Sequence, residues 1–303
     1  MKTKQEHINA ISTPANVILT VIFALASLAA IVPLLIVLGT SLTDNSYVLQ
    51  HGYSIIPRAF STWAYSFTFK DPMIVIRAYG VTILCTVAGT VLGTVIMSMY
   101  AYAIWRRDYR YRQVATIFMF ITMVFSGGMI PTYIVVTQIL GMRDTLWALI
   151  VPGCFAGFFV IVLRTFYKSA IPESLIESAK LDGAGEFRIF FRIIYPLSVP
   201  GLATVALFMA LQYWNDFFSP LLYLRDKGAT LQNLSYMIYQ ALVNTQMMMK
   251  IASLAGQANL ALQIPTETYR LALAIVCIGP LVVAYPFFQR FFIKGLTIGA
   301  IKG

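Results

Sequence analysis

From Asn16 to Leu42 the chain runs for 27 residues without one charged side chain. It does so twice more, from about Tyr79 to Trp105 and from about Val114 to Leu140. No other feature constrains the fold as strongly. A helix rises about 1.5 Å per residue, so about 20 residues cross the ~30 Å hydrocarbon layer of a bilayer. Three further stretches are comparably apolar and carry one or two charges each: about Leu146–Tyr167, Leu197–Leu224 and Tyr269–Phe292. In hydrocarbon every backbone donor and acceptor must find its partner within the protein, and helices provide that. The expectation is an all-α polytopic membrane protein with six transmembrane helices. Pro33, Pro131, Pro152, Pro280 and Pro286 fall inside these stretches, and Ser126-Gly127-Gly128 interrupts the third; packed membrane helices tolerate such residues. The first stretch far exceeds the apolar region of a signal peptide, roughly 7–15 residues, and reads as a retained anchor.

Composition agrees: 59% of residues are hydrophobic and 11% charged, where a soluble domain carries about 25% charge. The net charge of +10 would suggest nucleic acid for a soluble chain, but here the basic residues map topology. One set of loops holds 14 of the 22, including the cluster Arg106, Arg107, Arg110 and Arg112 and, at the ends, Lys2, Lys4 and Lys302. Four arginines abutting a span resist translocation, so both termini are expected in the cytoplasm, with no role for nucleic acid. Long outside loops then cover about 43–77 and 225–268, and one long inside loop about 168–196. Cys85, Cys154 and Cys277 lie in apolar stretches and serve as small hydrophobes, while His7 and His51 are far apart, so no metal site is expected. Without repeats or a linker, residues 1–303 read as a single transmembrane domain.

The inside loop has its own pattern. Pro172 and Glu173 suit a helix start, and Leu175, Ile176 and Ala179 share an apolar side. Asp182-Gly183-Ala184-Gly185 stops that helix at a sharp turn. A second helix is expected over Glu186–Tyr195, with Phe187, Phe190, Phe191 and Ile194 on one side and Pro196 as its end. Two short helices with small residues at the bend can insert into another protein's groove. On pattern alone, a surface segment lying on the bilayer fits equally well.

Within this loop Glu177, Ser178, Ala179, Asp182, Gly183, Ala184, Phe190, Ile193, Pro196 and Pro200 resemble the EAA loop of ABC-importer permeases, with Ser178 where alanine is commonest. Tyr285–Thr297 and the run to Gly303 look like the terminus of carbohydrate-importer permeases of the maltose-type class. Phe125–Tyr133 is similar to the subgroup that serves complex oligosaccharides, often labelled aldouronate or polysaccharide permeases. The resemblance implies a multi-pass subunit of the bacterial plasma membrane with a two-helix coupling loop between helices four and five. It would be one half of a permease heterodimer for an oligosaccharide, partnered by a homologous second permease, two ATPase subunits and an extracellular substrate-binding lipoprotein. This chain would bind no cofactor itself, ATP and Mg being held by the ATPase subunits. Glu177 would be the polar contact to the ATPase, Ala179 and Ala184 would give close approach, Gly183 the bend, and Lys302 and Gly303 a further contact.

Polar residues inside a span are costly and point to function. Gln212, Asn215, Asp216 and Ser219 follow a spacing of i, i+3, i+4 and i+7, which sets them on one face of a continuous helix. The pattern fits the lining of a sugar path with Tyr213 and Trp214 as adjacent aromatics, although those two point away from the stripe; it also fits helix–helix hydrogen bonding or a helix end at the outer interface. Tyr236, Tyr239 and Gln240 suit either a contact with the binding protein or an interfacial tyrosine belt. No GxxxxGK[ST] loop occurs, so ATP hydrolysis by this chain is excluded. A secondary transporter would need inverted repeats and intramembrane ionisable pairs. A membrane-embedded glycan-processing enzyme would need carboxylates clustered at one membrane face, but Glu173, Glu177, Asp182 and Glu186 all lie in the coupling loop.

Overall fold

The computed structural model describes residues 13–254, 267–280 and 282, and it is helical: among these residues the only β pairing is an isolated bridge between Thr43 and Phe60. The segment Tyr285–Gly303, with Lys302 and Gly303, and the amino-terminal Lys2 and Lys4 lie outside the described residues. The chain divides into two compact units, Met1–Lys70 with Leu242–Val276 and Asp71–Ala241 with Cys277–Gly303.

In the first unit α1 (Thr13–Ser41) presents exposed apolar side chains over most of its length, the surface of a helix whose solvent is lipid. Its C-terminal carbonyls are taken by nearby hydroxyls, Ser41 Oγ donating to Leu38 O (2.8 Å) and Thr43 Oγ1 to Gly39 O (2.8 Å). The short α2 (Asn45–His51) starts at Asp44, whose carboxylate accepts from Ser46 N at 2.9 Å, and α3 (Trp63–Thr68) follows. Residues 267–276 join this unit through Tyr53 Oη donating to Glu267 (2.7 Å) and an edge contact between Phe67 and Tyr269.

The second unit is built on α4 (Pro72–Trp105), a single helix of 34 residues. After it come α5 (Arg112–Val124), α6 (Met129–Ile134) continued by a π turn Val135–Ile139, α7 (Leu146–Ile150) continued by a 3₁₀ turn Val151–Gly153, and α8 (Gly157–Ala170). The loop expected on the inside carries α9 (Glu173–Leu181), α10 (Glu186–Ile189), a π turn Phe190–Ile194 and α11 (Tyr195–Leu197). Then come α12 (Val199–Trp214), α13 (Phe218–Tyr223) and α14 (Leu234–Leu254), of which the part up to Ala241 belongs here.

By length and composition, α1 and α4 each suffice to cross a membrane. Three bent pairs reach the same length together: Arg112–Val124 with Met129–Ile139 (113°), Leu146–Gly153 with Gly157–Ala170 (51°), and Glu186–Leu197 with Val199–Trp214 (80°). The described residues therefore hold up to five candidate spans, and the sixth expected stretch is described only over its first part. Three expected spans differ from straight helices, the fourth by its 51° bend between Gly153 and Gly157. The third turns through 113° where Gly128 adopts φ +86°, and the fifth ends at Trp214 and restarts as α13.

Packing explains why α4 is the hub. Gly89 and Gly93 face α12 one turn apart; a Cβ on Gly89 would meet the Tyr213 ring, and one on Gly93 would meet the Met209 methyl at 2.6 Å and Cys154 O at 2.8 Å. Where lipid removes the hydrophobic drive, this close backbone approach is what joins helices. The core from Met97 and Ala101 on α4 through Val160, Leu163, Val205 and Met209 continues without a gap into Ile176, Ile189, Phe190 and Ile194 of the inside loop. The three cysteines are buried thiols, as expected of small hydrophobes.

Candidate functional site

The inside loop is folded around one turn. Helix α9 ends at Lys180 and Leu181, with Asp182 as its cap. Gly183 follows at φ +77°, a conformation that costs a residue with a Cβ roughly 1–2 kcal/mol. Its N–H donates to Lys180 O at 3.0 Å and that of Ala184 to Ala179 O at 2.9 Å. This pair of bonds is the Schellman closure, which satisfies two orphan carbonyls and brings Ala184 back onto Ala179. The spacing Ala-x-x-Asp-Gly-Ala is thus what the turn requires. Ala179 is buried and Ala184 half-buried, while Glu177, Ser178, Asp182 and Gly183 face solvent.

Four expectations about this loop need correction. Pro172 is the extended cap ahead of α9 rather than part of its first turn. Leu175 is exposed and only Ile176 and Ala179 pack inward. Pro196 does not end the second helix, which continues to Leu197. The wide π turn ahead of Pro196 makes room for its ring and its missing N–H and shifts the side chains that follow. The buried side is Ile189, Phe190 and Ile194, with Phe187, ahead of the π turn, 71% exposed and Phe191 also outside. Leu181 at the tip is 89% exposed, so the loop shows apolar side chains to the outside while its inner face belongs to the main core.

A cluster of ions clasps this turn to the end of α4. Asp108 accepts from Arg106 Nε (2.9 Å) and from Lys180 Nζ (2.5 Å), and Lys180 also reaches Glu186 at 2.8 Å. Glu186 accepts from the Tyr102 hydroxyl (2.5 Å) and lies 3.6 Å from Arg106, whose guanidinium sits over the Tyr102 ring. Arg107 pairs with Glu173 at 3.2 Å. Hydrogen bonds from Arg106 and Lys180 hold the Asp108 carboxyl at about 2, below its usual 3.8. Hydrogen bonds to Asp108 and Glu186 raise Lys180 above its usual 10.5.

The second site is a cleft of about 350 Å³ at the end of α12. It gathers Gln212, Tyr213, Asn215, Asp216 and Ser219 with Phe217, Phe218, Pro152 and Gly153. The four polar side chains do meet, but not as a stripe on one helix. Helix α12 stops at Trp214, and Asp216 Oδ1 accepts from Phe218 N and Ser219 N (3.0 Å each), capping α13. The carbonyls freed by this break are taken by side chains at the start of α14: Ser235 Oγ donates to Trp214 O at 2.8 Å and Asn233 Nδ2 to Asp216 O at 2.5 Å. Backbone groups freed by a break in an apolar helix need such partners.

The two aromatics have structural surroundings. Tyr213 is buried, and its hydroxyl donates to Ile150 O at 2.6 Å. That carbonyl lacks the Cys154 N–H, which the 3₁₀ turn diverts to Val151 O, and it also takes the Cys154 thiol at 3.2 Å. Trp214 turns away from the cleft, its Nε1 donating to Cys277 O at 3.3 Å. At the rim Tyr239 stacks on Phe217 (5.3 Å between centroids) and Tyr236 on Tyr239. Sequence reasoning missed Asn233, Ser235, Tyr102 and Asp108. An asparagine three residues ahead of Tyr236, whose N–H it accepts at 2.9 Å, is a helix-start signal. The lone acid beside four arginines was the corresponding signal at Asp108.

Residues 104–298 match the family described as binding-protein-dependent transport system inner membrane component. The chain is 36% identical, over 91% of its length and 94% of the relative's, to the polygalacturonan/rhamnogalacturonan transport system permease protein of Bacillus subtilis. It is 28% identical to the arabinooligosaccharides transport system permease protein of Halalkalibacterium halodurans, covering 94% and 96% of the two chains. A solved structure, the crystal structure of a bacterial ABC transporter involved in the import of the acidic polysaccharide alginate, superposes with a TM-score of 0.76 at 26% identity, over 91% of this chain and 96% of that one.

Proposed function

The chain belongs to the family of binding-protein-dependent transport system inner membrane components, and from that premise we propose that it forms half of the membrane path of an ATP-driven oligosaccharide importer. Two ATPase subunits, a second permease and an extracellular binding protein complete the machine. The turn at Gly183 carries this reading: its backbone is closed internally, its inner face is welded to the core of α4, α8 and α12, and it turns Glu177, Ser178, Asp182, Leu181 and Phe187 outward. Such a tip suits a groove in another protein, and a push on it moves the helices behind it.

Orientation follows from charge. The clasp joins the Arg106–Arg112 loop to the loop that holds Gly183, so the arginine cluster and the basic 168–196 loop share one side, which we assign to the cytoplasm. With six spans both termini lie on that side. At the other site Gln212, Asn215 and Ser219 offer hydrogen bonds while Phe217 and Phe218 offer aromatic faces. Among the described residues the lining holds one carboxylate and no cation, which suits hydrogen bonding to ring hydroxyls. Asp216 serves the cleft by capping α13.

Cross-linking tests the docking. With the native cysteines buried, Ser178→Cys in the assembled importer should cross-link to the ATPase subunit, and the yield should change with bound ATP. An assembled complex in which Ser178→Cys never reaches the ATPase contradicts the assignment.

A further inference from the structure

We propose that Asp108 is a positioning residue for coupling: it clasps the docking turn to α4, so that a displacement of the loop drives α4 directly. The proposal rests on the reading of that loop as the ATPase docking surface. Chain connectivity links the loop only to α8 and α12. Helix α4 lies more than 60 residues earlier in the chain, and a displacement of the turn reaches it only through non-covalent contacts. One contact is the apolar core in which Tyr102 and Trp105 meet Phe190 and Tyr167. Apolar contact is non-directional and allows sliding.

The ion clasp is directional. Lys180 stands ahead of the Gly183 turn and Glu186 after it, and the two meet at 2.8 Å across the bend. Asp108 holds Lys180, and Arg106 and Tyr102 hold Glu186. Both sides of the turn are therefore gripped by the last turn of α4 and the residues just beyond it. Two cations and two anions balance within the cluster. Arg106 is the least exposed of the four charged side chains, which fixes the anchor while the outer partners stay accessible. Charge-assisted bonds of this kind resist reorientation as well as separation.

The test uses the complete importer in proteoliposomes, with sugar imported per ATP hydrolysed as the readout for Asp108→Asn, Lys180→Met and the double variant. Each single variant should lower that yield by about two- to five-fold, the scale of losing a solvent-exposed ion pair. The double variant should be no worse than either, and Asp108→Glu should restore most of the yield. Unchanged yields in the single variants overturn the proposal, as does a double variant whose loss is the product of the two. Should Asp108→Asn fail to assemble, Lys180→Met carries the comparison, and an unchanged yield there overturns the proposal too. The Ser178→Cys cross-link, run in the otherwise unaltered importer, separates the failures. Its absence there removes the docking reading, whereas its presence alongside unchanged yields removes only the clasp.

Discussion

At the scale of single residues, the two proposed sites lie where the backbone departs from a helix. Nothing lies within 4 Å of a Cβ placed on Gly183, so the position demands glycine for its φ of +77° rather than for space. Gly183→Val should therefore cost about 1–2 kcal/mol of local stability and loosen the turn. Gly183→Asn should cost much less, since asparagine visits this conformation most readily among residues with a Cβ; thermal unfolding in detergent, together with ATP-coupled uptake, distinguishes the two. Asp216 has a comparable test. If it serves as a cap, Asp216→Asn keeps the accepting oxygen and should leave stability near wild type, while Asp216→Ala should lose about 0.5–2 kcal/mol. A collapse of uptake in a stable Asp216→Asn variant would instead make its charge a substrate contact. Both positions stood out in the sequence, Gly183 with its role as the bend, Asp216 without its role as a cap. The spacing of polar residues assumed an unbroken helix, and the break between Trp214 and Phe218 depends on Asn233 and Ser235, which lie after the next turn.

At the scale of elements, two joints matter. The first is α4 against α12, where Gly89→Ala would drive a methyl into the Tyr213 ring and should destabilise by about 1–3 kcal/mol. Gly80→Ala on the same helix meets nothing within 4 Å and should be neutral or slightly stabilising; paired melting curves check both. The second joint is the clasp. Asp108 is depressed from 3.8 to about 2, so its contribution is complete above the unfolded value and fades as pH falls through about 2. Lys180 is raised above 10.5, so its contribution is complete below that value and lost at higher pH. Sugar imported per ATP should consequently show no step from these two groups between about pH 5 and pH 9, while raised ionic strength should lower it; a mid-range step that Asp108→Asn abolishes would contradict this assignment. Of these joints the sequence revealed the Gly183 turn, because a Schellman closure is local and leaves a local signature. The π turn ahead of Pro196 shifts the side chains from Phe191 onward, and the clasp joins residues 72 and 84 apart in sequence. Neither is written in a short window.

At the scale of the whole molecule, the absence of charge over long stretches was the most informative signal, because lipid sets a length and a polarity that no soluble fold shares. It reveals the helices but not their bends, since glycine, proline and hydroxyl side chains allow a break only where neighbours supply hydrogen bonds. Family membership follows from the match of residues 104–298. Under the proposed function, this chain conducts sugar only when ATP is hydrolysed by partners docked at its loop. The most direct measurement is uptake of labelled oligosaccharide into proteoliposomes holding both permeases, with and without the ATPase subunits, binding protein and internal ATP supplied. Uptake should require the ATPase and ATP and ignore an imposed proton or sodium gradient. Gradient-driven uptake without the ATPase would contradict the proposed function.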